Sequence, residues 1–240
     1  VEITCSSPSA VIYYTTDGTF PDKTSNKYIG SIPIDSNTVV RARIYKDGAL
    51  PGPVLNNSYF LNQEVSLPVI SLITDPYNLW DEDYGIYIKG ADAGTEFPYF
   101  GSNFWQDWER PAHIQLFDTN NGGFACNAGI KIFGGWSRGH DQKSMSVFFR
   151  GQYGTSELEY KLFDETQIDK FQAFVMRNSG NDWPQSMMRD GLTSRIVQGL
   201  DLDFQAFKPT VLFINGAYWG IHNVREKVNE HFIASHHNAD

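Results

Sequence analysis

Short apolar and aromatic runs separated by turn residues make up the first sixty positions of the chain. The runs are Ala10–Thr16, Val39–Tyr45 and Val54–Phe60. Asp17-Gly18 and Asp47-Gly48 are dipeptides typical of tight turns, and no segment with a helical period interrupts the series. Several short strands at this spacing predict a small antiparallel β-sandwich. The polar stretch Leu61–Leu67 then predicts a boundary between one domain at residues 1–62 and a second at residues 63–240.

The pattern changes after Pro68, where strands alternate with longer loops and helical segments. The predicted strands are Val69–Thr74, Ala112–Phe117, Ala128–Phe133, Ser144–Phe149, Ala173–Arg177, Pro209–Ile214 and Tyr218–Val224, with a hairpin turn over residues 118–123. Asn215-Gly216 is a strong hairpin signal between the last two strands. Apolar residues at helical spacing predict one main helix over Pro184–Leu200 with Asp182 as its N-cap, and a second helical segment over Glu226–His236. The fold class is therefore mainly β or α+β, with a mixed or antiparallel sheet in the second domain.

Composition and charge narrow the classes of function. The 240 residues carry 19 Lys and Arg against 28 Asp and Glu, a net charge of -9. This balance argues against binding to duplex nucleic acid, because such proteins neutralise phosphates with cations. No apolar run approaches the ~20 residues that a membrane-spanning helix needs, so no transmembrane segment is predicted. Since the chain has neither an initial Met nor a signal-peptide pattern, it is interpreted as a piece of a longer protein.

The cysteines and histidines are candidates for metal or redox sites. Cys5 and Cys126 are too few for a disulfide scaffold or a structural zinc site. They are interpreted as two free buried thiols, with a long-range bridge as the alternative. The histidines near the carboxyl end lack the spacing of a zinc helix, and the acidic run Asp81–Asp83 lacks the glycine of a calcium loop. Solvated surfaces are favoured for both, so no metal ligand is predicted.

A distinctive series of positions runs through residues 10–60. It consists of Ile12-Tyr-Tyr-Thr-Thr-Asp-Gly-Thr19, then Pro21, Ser25 and Tyr28, then Val39-Val-Arg-Ala-Arg43, and finally Gly48 and Pro51. This series resembles the chitobiase/β-hexosaminidase C-terminal module. The resemblance implies an immunoglobulin-like sandwich, here without its usual first strand. Because such modules occur in secreted multidomain proteins, it also implies an extracytoplasmic location, either secreted or on the cell surface.

A second series of motifs lies in the remaining chain. It consists of Glu109-Arg-Pro-Ala, Gly129-Ile-Lys-Ile-Phe-Gly-Gly-Trp-Ser-Arg138, Lys143-Ser144, Tyr160-Lys-Leu-Phe163, Arg177-Asn178, Met188-Arg-Asp190, Asn215-Gly-Ala-Tyr-Trp-Gly220 and Arg225-Glu226. Residues 68–240 thereby resemble the amino-terminal part of the CotH kinase family. The resemblance implies a kinase N-lobe-like sheet and ATP-dependent phosphoryl transfer, with Mg²⁺, to Ser or Thr of a protein substrate by the full-length parent. The family's metal-binding and catalytic acids lie in a carboxy-terminal lobe, so no catalytic residue is assigned here and the fragment alone is predicted to be inactive.

Two cations are the candidate phosphate ligands. The loop Gly134–Gly139 carries glycines between two strands, and Arg138 lies near its end. Lys143 begins the following strand, where an ammonium can reach a cleft as a point charge. The alternatives are an ordinary hairpin loop with a solvated arginine and an exposed lysine at a sheet edge. No P-loop signature occurs in the chain.

Three further residues complete the predicted nucleotide site. Asp190, on the main helix, is the candidate acid that orients Lys143, and a solvated helix-face acid is the alternative. Arg225 and Glu226 follow the last predicted strand, where the kinase resemblance implies a hinge that recognises the base. Two other functions stay open at this point. The aromatic residues of Gly90–Trp108 can stack on a cell-surface glycan, and the protein can be a structural surface module without catalysis.

Overall fold

The computed structural model describes residues 1–61, 63–118 and 122–237. The predicted boundary at residue 62 and the centre of the predicted hairpin turn, residues 119–121, lie outside the described residues. The described chain consists mostly of strands arranged in several sheets, together with a few short helices. The predicted β-rich α+β class is therefore confirmed.

The amino-terminal part forms one antiparallel sheet of four strands in the order β2-β1-β3-β4. The strands are β1 (Val11–Thr15), β2 (Asn26–Lys27), β3 (Thr38–Tyr45) and β4 (Leu55–Tyr59). The described residues show no second sheet facing this one, so the predicted pair of facing sheets is not found. Strand β4 packs instead against the rest of the chain, where the Ser58 hydroxyl lies 2.7 Å from Ser71 Oγ and 2.6 Å from Gln115 Oε1.

The second part forms a closed barrel in the strand order β11-β13-β12-β5-β6-β7-β8. These strands are β5 (Val69–Ile73), β6 (Arg110–Asp118), β7 (Gly122–Phe133), β8 (Ser144–Phe148), β11 (Ala173–Arg177), β12 (Phe207–Ile214) and β13 (Ala217–Glu226), and β9 (Leu158–Glu159) and β10 (Lys170–Phe171) form a separate ribbon. Among the described strands of the barrel, only β12 and β5 pair in parallel. The sheet is therefore mixed, which is one of the two predicted forms. Buried side chains such as Ile70, Ile130 and Phe174 belong to one hydrophobic core. Closure of the sheet was not predicted, because alternation along a strand gives no strand order.

The hairpin of β12 and β13 agrees with its sequence signal. Asn215 and Gly216 both have positive φ, 49° and 86°. A two-residue turn with both residues in this region matches the right-handed twist of the flanking strands. Asn215 also donates to the carbonyl of Thr74 from the neighbouring strand end, 2.8 Å away, and so fastens the turn to the barrel.

The helices differ from their predicted bounds. They are α1 (Tyr77–Trp80), α2 (Arg189–Ile196) and α3 (Glu230–His237). The predicted helix over Pro184–Leu200 is thus reduced to α2, because Met187 has φ of 57°, which is outside the right-handed helical region. Asp182 accepts hydrogen bonds from the backbone N–H groups of Met188 and Arg189 at 2.9 and 3.1 Å, and so caps α2 from farther upstream than predicted. Glu226 ends β13 and is not helical.

The two parts of the chain contact each other directly. The ring of Phe60 packs against Phe117 and Phe213, with centroid distances of 5.7 and 4.5 Å. Their division into separate domains stays a prediction. Cys5 is exposed and Cys126 is half-buried, and both are free, so the predicted burial is wrong for Cys5 and no bridge forms. Among the described residues, no helix is long and apolar enough to cross a membrane.

Candidate functional site

A cavity of about 680 Å³ opens at one edge of the barrel, between the ends of β7 and β11 and the start of α2. Strand β8 is antiparallel to both β7 and β11, so these two strands end at the same edge. The residues that line the cavity are Gly134, Gly135, Trp136, Ser137, Arg177, Ser179, Gly180, Asn181, Asp182, Arg189, Asp190 and Thr193. The fold thus brings the predicted glycine loop and the predicted acid Asp190 together.

The glycine loop forms one wall of this cavity. Gly134 has φ of 109°, and a Cβ atom at this position would lie 2.8 Å from Ser137 Oγ. Glycine is therefore required where the chain leaves β7 and enters a short 3₁₀ turn at Trp136–Gly139. The indole of Trp136 is largely exposed at the cavity rim. A loop of this kind allows a ligand to approach the backbone closely.

An arginine pair shares one carboxylate on the opposite wall. Asp190 Oδ2 pairs with Arg177 Nε and lies 2.7 Å from Arg225 Nη1. Arg225 is only 3% exposed, and its Nη2 donates to Ser194 Oγ at 2.8 Å and to Gln205 Oε1 at 3.2 Å. In the register of β11 and β13, Arg177 pairs with Asn223 and Val175 pairs with Arg225. Both arginines therefore lie on the same outer face of the barrel, where α2 presents Asp190.

An ion pair between an exposed arginine and a buried aspartate lies beside this cluster. The side chain of Arg189 is 69% exposed, and its Nε lies 3.3 Å from Asp182 Oδ1. The Ser186 hydroxyl, followed by the backbone N–H groups at the start of α2, holds the pKa of Asp182 below its usual range. In this neighbourhood the three arginines 177, 189 and 225 face two aspartates, which leaves a small excess of positive charge in an acidic protein.

Arg138 is directed away from the cavity. Its Nε donates to the carbonyl of Gly134 at 2.6 Å, and its Nη1 lies 3.1 and 3.3 Å from the carbonyls of Phe104 and Trp105. The guanidinium also lies 5.2 Å from the ring centroid of Trp105. The described contacts of Arg138 therefore fasten the glycine loop to the segment before β6, and its assignment as a phosphate ligand stays a prediction.

Lys143 is buried in a different part of the barrel edge. It is 5% exposed, and its Nζ donates to the carbonyls of Arg138 and His140 at 2.9 and 2.7 Å. The ammonium lies 4.1 Å from the ring centroid of Phe104 and lines a second cavity of about 430 Å³ rimmed by Tyr87 and Trp219. Burial lowers the pKa of Lys143 to about 8. The predicted pair of Lys143 with Asp190 does not form, because Asp190 is engaged by arginines on the outer face of the barrel.

Glu226 is buried where β13 ends. Its Oε2 accepts from the backbone N–H of Ala206 at 2.9 Å, and its Oε1 lies 2.9 Å from His236 Nε2. The imidazole of His236 stacks on Phe232 with a centroid distance of 4.1 Å. Glu226 therefore connects β13 to α3, and its role in a nucleotide-recognising hinge stays a prediction.

Sequence reasoning did not select Arg177, Asp182 and Arg189 as site residues. Arg177 entered the sequence analysis only through the Arg177-Asn178 motif, and the adjacent Asn178 stabilises a turn, since its Oδ1 accepts from the N–H of Gly180 at 3.0 Å. The available signal was the position of these charges at a strand end and at a helix start. Whether such positions meet at one edge of a sheet can be predicted only from the strand order, which this signal does not give.

In residues 1–61, 63–118 and 122–237, no group of three or more His, Cys, Asp or Glu side chains is arranged to hold a metal ion. Asp81 Oδ1 accepts from the backbone N–H groups of Asp83 and Tyr84 at 3.0 and 2.9 Å, as in a short acidic turn.

Comparison with protein families gives two matches. Residues 130–240 match the CotH kinase protein family, and residues 1–56 match the chitobiase/beta-hexosaminidase C-terminal domain. Both resemblances and their order are confirmed. The first match begins at residue 130 and so does not reach the predicted motif at Glu109. Every residue that lines the 680 Å³ cavity belongs to the CotH-matched segment. A search of curated proteins found no match to the chain.

Proposed function

We propose that residues 130–240 form the nucleotide-binding part of a CotH-like protein kinase, which transfers a phosphoryl group from ATP to Ser or Thr of a protein in the full-length parent. The observation that carries this proposal is the cavity beside the glycine loop, which lies wholly within the CotH-matched segment. Its volume is in the range of about 300–1,000 Å³ that is usual for small-molecule sites.

The donor set of the cavity suits phosphate. Arginine guanidinium groups bind phosphate oxygens in a bidentate manner, and phosphoryl transfer depends chiefly on positioning and on neutralising charge. Arg189 is the cation best able to turn towards a ligand, because its own side chain is 69% exposed while its partner Asp182 is buried and fixed by other bonds. Arg177 adds a second guanidinium whose carboxylate partner is shared with Arg225.

The predicted ligands take different places in this proposal. Arg138 holds the glycine loop in position through its bond to the carbonyl of Gly134. Lys143 holds the end of the same loop through the carbonyls of Arg138 and His140. Asp190 and Arg225 orient Arg177, and Glu226 fixes the segment after β13. We place phosphate binding on Arg177 and Arg189, with the backbone of Gly134–Ser137 as the opposite wall. In the parent enzyme, Mg²⁺ would neutralise part of the phosphate charge.

An extracytoplasmic location and the division at residue 62 are part of the same proposal. Their support is the match of residues 1–56 to the chitobiase/beta-hexosaminidase C-terminal domain, together with the separate strand pairing of β1–β4.

The test is the affinity of the chain for ATP, measured by isothermal titration calorimetry with and without Mg²⁺. Arg189→Gln removes one charge-assisted contact, so we expect ATP to bind about tenfold more weakly. Arg195→Gln is the matched control, because Arg195 lies on the same helix and pairs with Glu165 outside the cavity lining. Absence of ATP binding, or equal losses in the two variants, would contradict the proposal.

A further inference from the structure

A separate cleft of about 370 Å³ lies between the four-stranded sheet and the barrel. Its walls come from both parts of the chain. The lining residues are Phe20, Arg41, Pro53, Val54 and Asn56 from the first part, and Ile73, Asp75, Asn78, Pro111, Ala112, His113, Asn127, Gln152 and Tyr153 from the second. Most of the barrel wall lies between the two matched segments, so neither family match assigns this cleft a role.

The cleft is formed before any ligand arrives, because hydrogen bonds join its two walls. The backbone N–H of Phe20 donates to Asp75 Oδ2 at 2.9 Å. Gln115 Nε2 donates to the carbonyl of Asn56 at 3.3 Å. A Cβ atom on Gly18 would lie 2.3 Å from the side chain of Asn215, so the sheet and the barrel also approach closely at this point. A preformed site binds its ligand without an entropic cost of ordering its walls.

The cleft presents donors and acceptors side by side. Arg41 Nε donates to Asn56 Oδ1 at 3.0 Å, and its Nη1 donates to the carbonyl of Gly18 at 2.6 Å. Neither bond uses Nη2, and the 2.8 Å contact of Asn127 with His113 Nδ1 is made by Oδ1 and not by Nδ2. Asp75 supplies carboxylate oxygens, each of which has further lone pairs beyond its one bond to a backbone N–H.

Aromatic surface borders these polar groups. Phe20 is 45% exposed at the mouth of the cleft. The ring of Tyr153 forms part of the barrel wall and is held in place because its hydroxyl donates to Glu109 Oε1 at 3.0 Å. A pyranose has the matching chemistry, since its hydroxyl groups both donate and accept while its C–H face is apolar.

The charge of the cleft selects against ionic ligands. Burial lowers the pKa of His113, so its ring is neutral at pH 7. The formal charges that remain are those of Arg41 and Asp75, which cancel. A phosphate or carboxylate bound to Arg41 would also face Asp75, whereas an uncharged polyhydroxyl ligand uses both groups.

We propose that this cleft binds a neutral glycan unit, with Arg41, Asp75 and Asn127 bonding its hydroxyl groups and Phe20 stacking on its apolar face. The site is independent of the proposed nucleotide cavity and shares no lining residue with it.

The test begins with an array of neutral oligosaccharides built from glucose, mannose, galactose or N-acetylglucosamine, printed beside sialylated and sulfated oligosaccharides. We expect the chain to retain neutral oligosaccharides in preference to charged ones. The affinity for the best neutral oligosaccharide is then measured by calorimetry for the wild type and for three variants. Phe20→Ala should weaken binding about tenfold, and Asn127→Ala about threefold.

Phe100→Ala is the control, because Phe100 is an aromatic residue in the loop before β6 that is at least as exposed as Phe20 and is absent from the cleft. It should leave the affinity unchanged. The proposal is overturned if no neutral oligosaccharide binds, if charged ones bind better, or if Phe100→Ala reduces affinity as much as Phe20→Ala. Thermal unfolding of each variant verifies that it is folded. If Phe20→Ala is unfolded, the proposal is tested by Asn127→Ala, and an unchanged affinity in that variant overturns it. If the chain binds a glycan but not ATP, the proposed kinase role is contradicted and the glycan proposal stands.

Discussion

Lys143 and the arginines of the outer face carry the same charge but are stabilised in opposite ways. Lys143 is buried against Phe104, and its ammonium donates to two backbone carbonyls of the described chain at 2.9 and 2.7 Å. Arg177 and Arg225 instead share the carboxylate of Asp190. Carbonyl dipoles compensate little of the cost of burying an ammonium, which is why the pKa of Lys143 falls to about 8. The arginine cluster thus has a counter-charge at bonding distance, whereas the nearby charge of Asp141 offsets only part of the effect of burial on the pKa of Lys143.

This difference separates two ways of building a cationic site. The charge of Lys143 depends on pH near neutrality, and its contacts fix the loop that precedes β8. Asp190 instead orients Arg177, which lines the cavity, and compensates the charge of Arg225, which is buried. The proposed phosphate site is therefore placed at the arginines and not at Lys143. Three predictions test whether the two regions differ in this way.

The largest effect is expected on removing the shared carboxylate. Asp190→Ala leaves Arg225, which is 3% exposed, without its counter-charge. Breaking a buried pair in this way costs about 3 kcal/mol of unfolding free energy. The measurement is urea denaturation followed by fluorescence. Glu159→Ala is the control, because Glu159 pairs with Lys170 at the surface and its loss should cost less than about 1 kcal/mol. Equal losses would show that Asp190 has no special role in the cluster.

The next effect concerns the pH dependence of stability at Lys143. The pKa of this lysine falls from 10.5 in the unfolded chain to about 8 in the fold. Between these values the unfolded chain binds more protons than the folded one, so stability rises with pH and the burial cost is fully present below pH 8. From about pH 7.5 to about pH 9.5, the wild type should gain about 2 kcal/mol relative to Lys143→Met.

The measurement is the free energy of unfolding of both proteins across this range. Tyr87 has its pKa raised to about 12 by burial and is present in both proteins, so its contribution cancels. Parallel curves for wild type and variant would mean that Lys143 keeps its ordinary pKa and that the contrast with the arginines is wrong.

Local signals predicted the parts of the fold that depend on neighbouring residues. Asn215-Gly216 predicted its hairpin because the turn geometry is set by those two residues. The helix over Pro184–Leu200 was predicted from apolar spacing, yet Leu192 is 52% exposed and Ile196 is 69% exposed, so this spacing does not mark a core face of the described chain. Periodicity alone cannot distinguish a buried stripe from an exposed one.

The candidate site was predicted less well than the strands. Lys143 and Asp190 were paired by analogy with kinases, but the pairing requires knowledge of which face each element presents. Lys143 precedes β8 and is buried beside its own loop, whereas α2 lies over the outer face of β11 and β13. The barrel order that decides this is set by contacts between residues far apart in the chain, such as Val211 with Val69. Those contacts leave no local signal in the sequence.

The smallest effect tests geometry within the arginine cluster. Arg177→Lys keeps the charge beside Asp190 but replaces a planar fork with a point charge. Arg177 is partly exposed and Arg225 continues to compensate the carboxylate, so we expect a loss of about 1 kcal/mol in unfolding free energy. Arg195→Lys on α2 is the matched control and should change stability by less than about 0.5 kcal/mol, since Arg195 is more exposed and its ion pair is with Glu165. Thermal unfolding of the two variants side by side gives the comparison. If the two substitutions cost the same, the charge of Arg177 matters and its fork does not, and the cluster would then differ from Lys143 only in having a carboxylate.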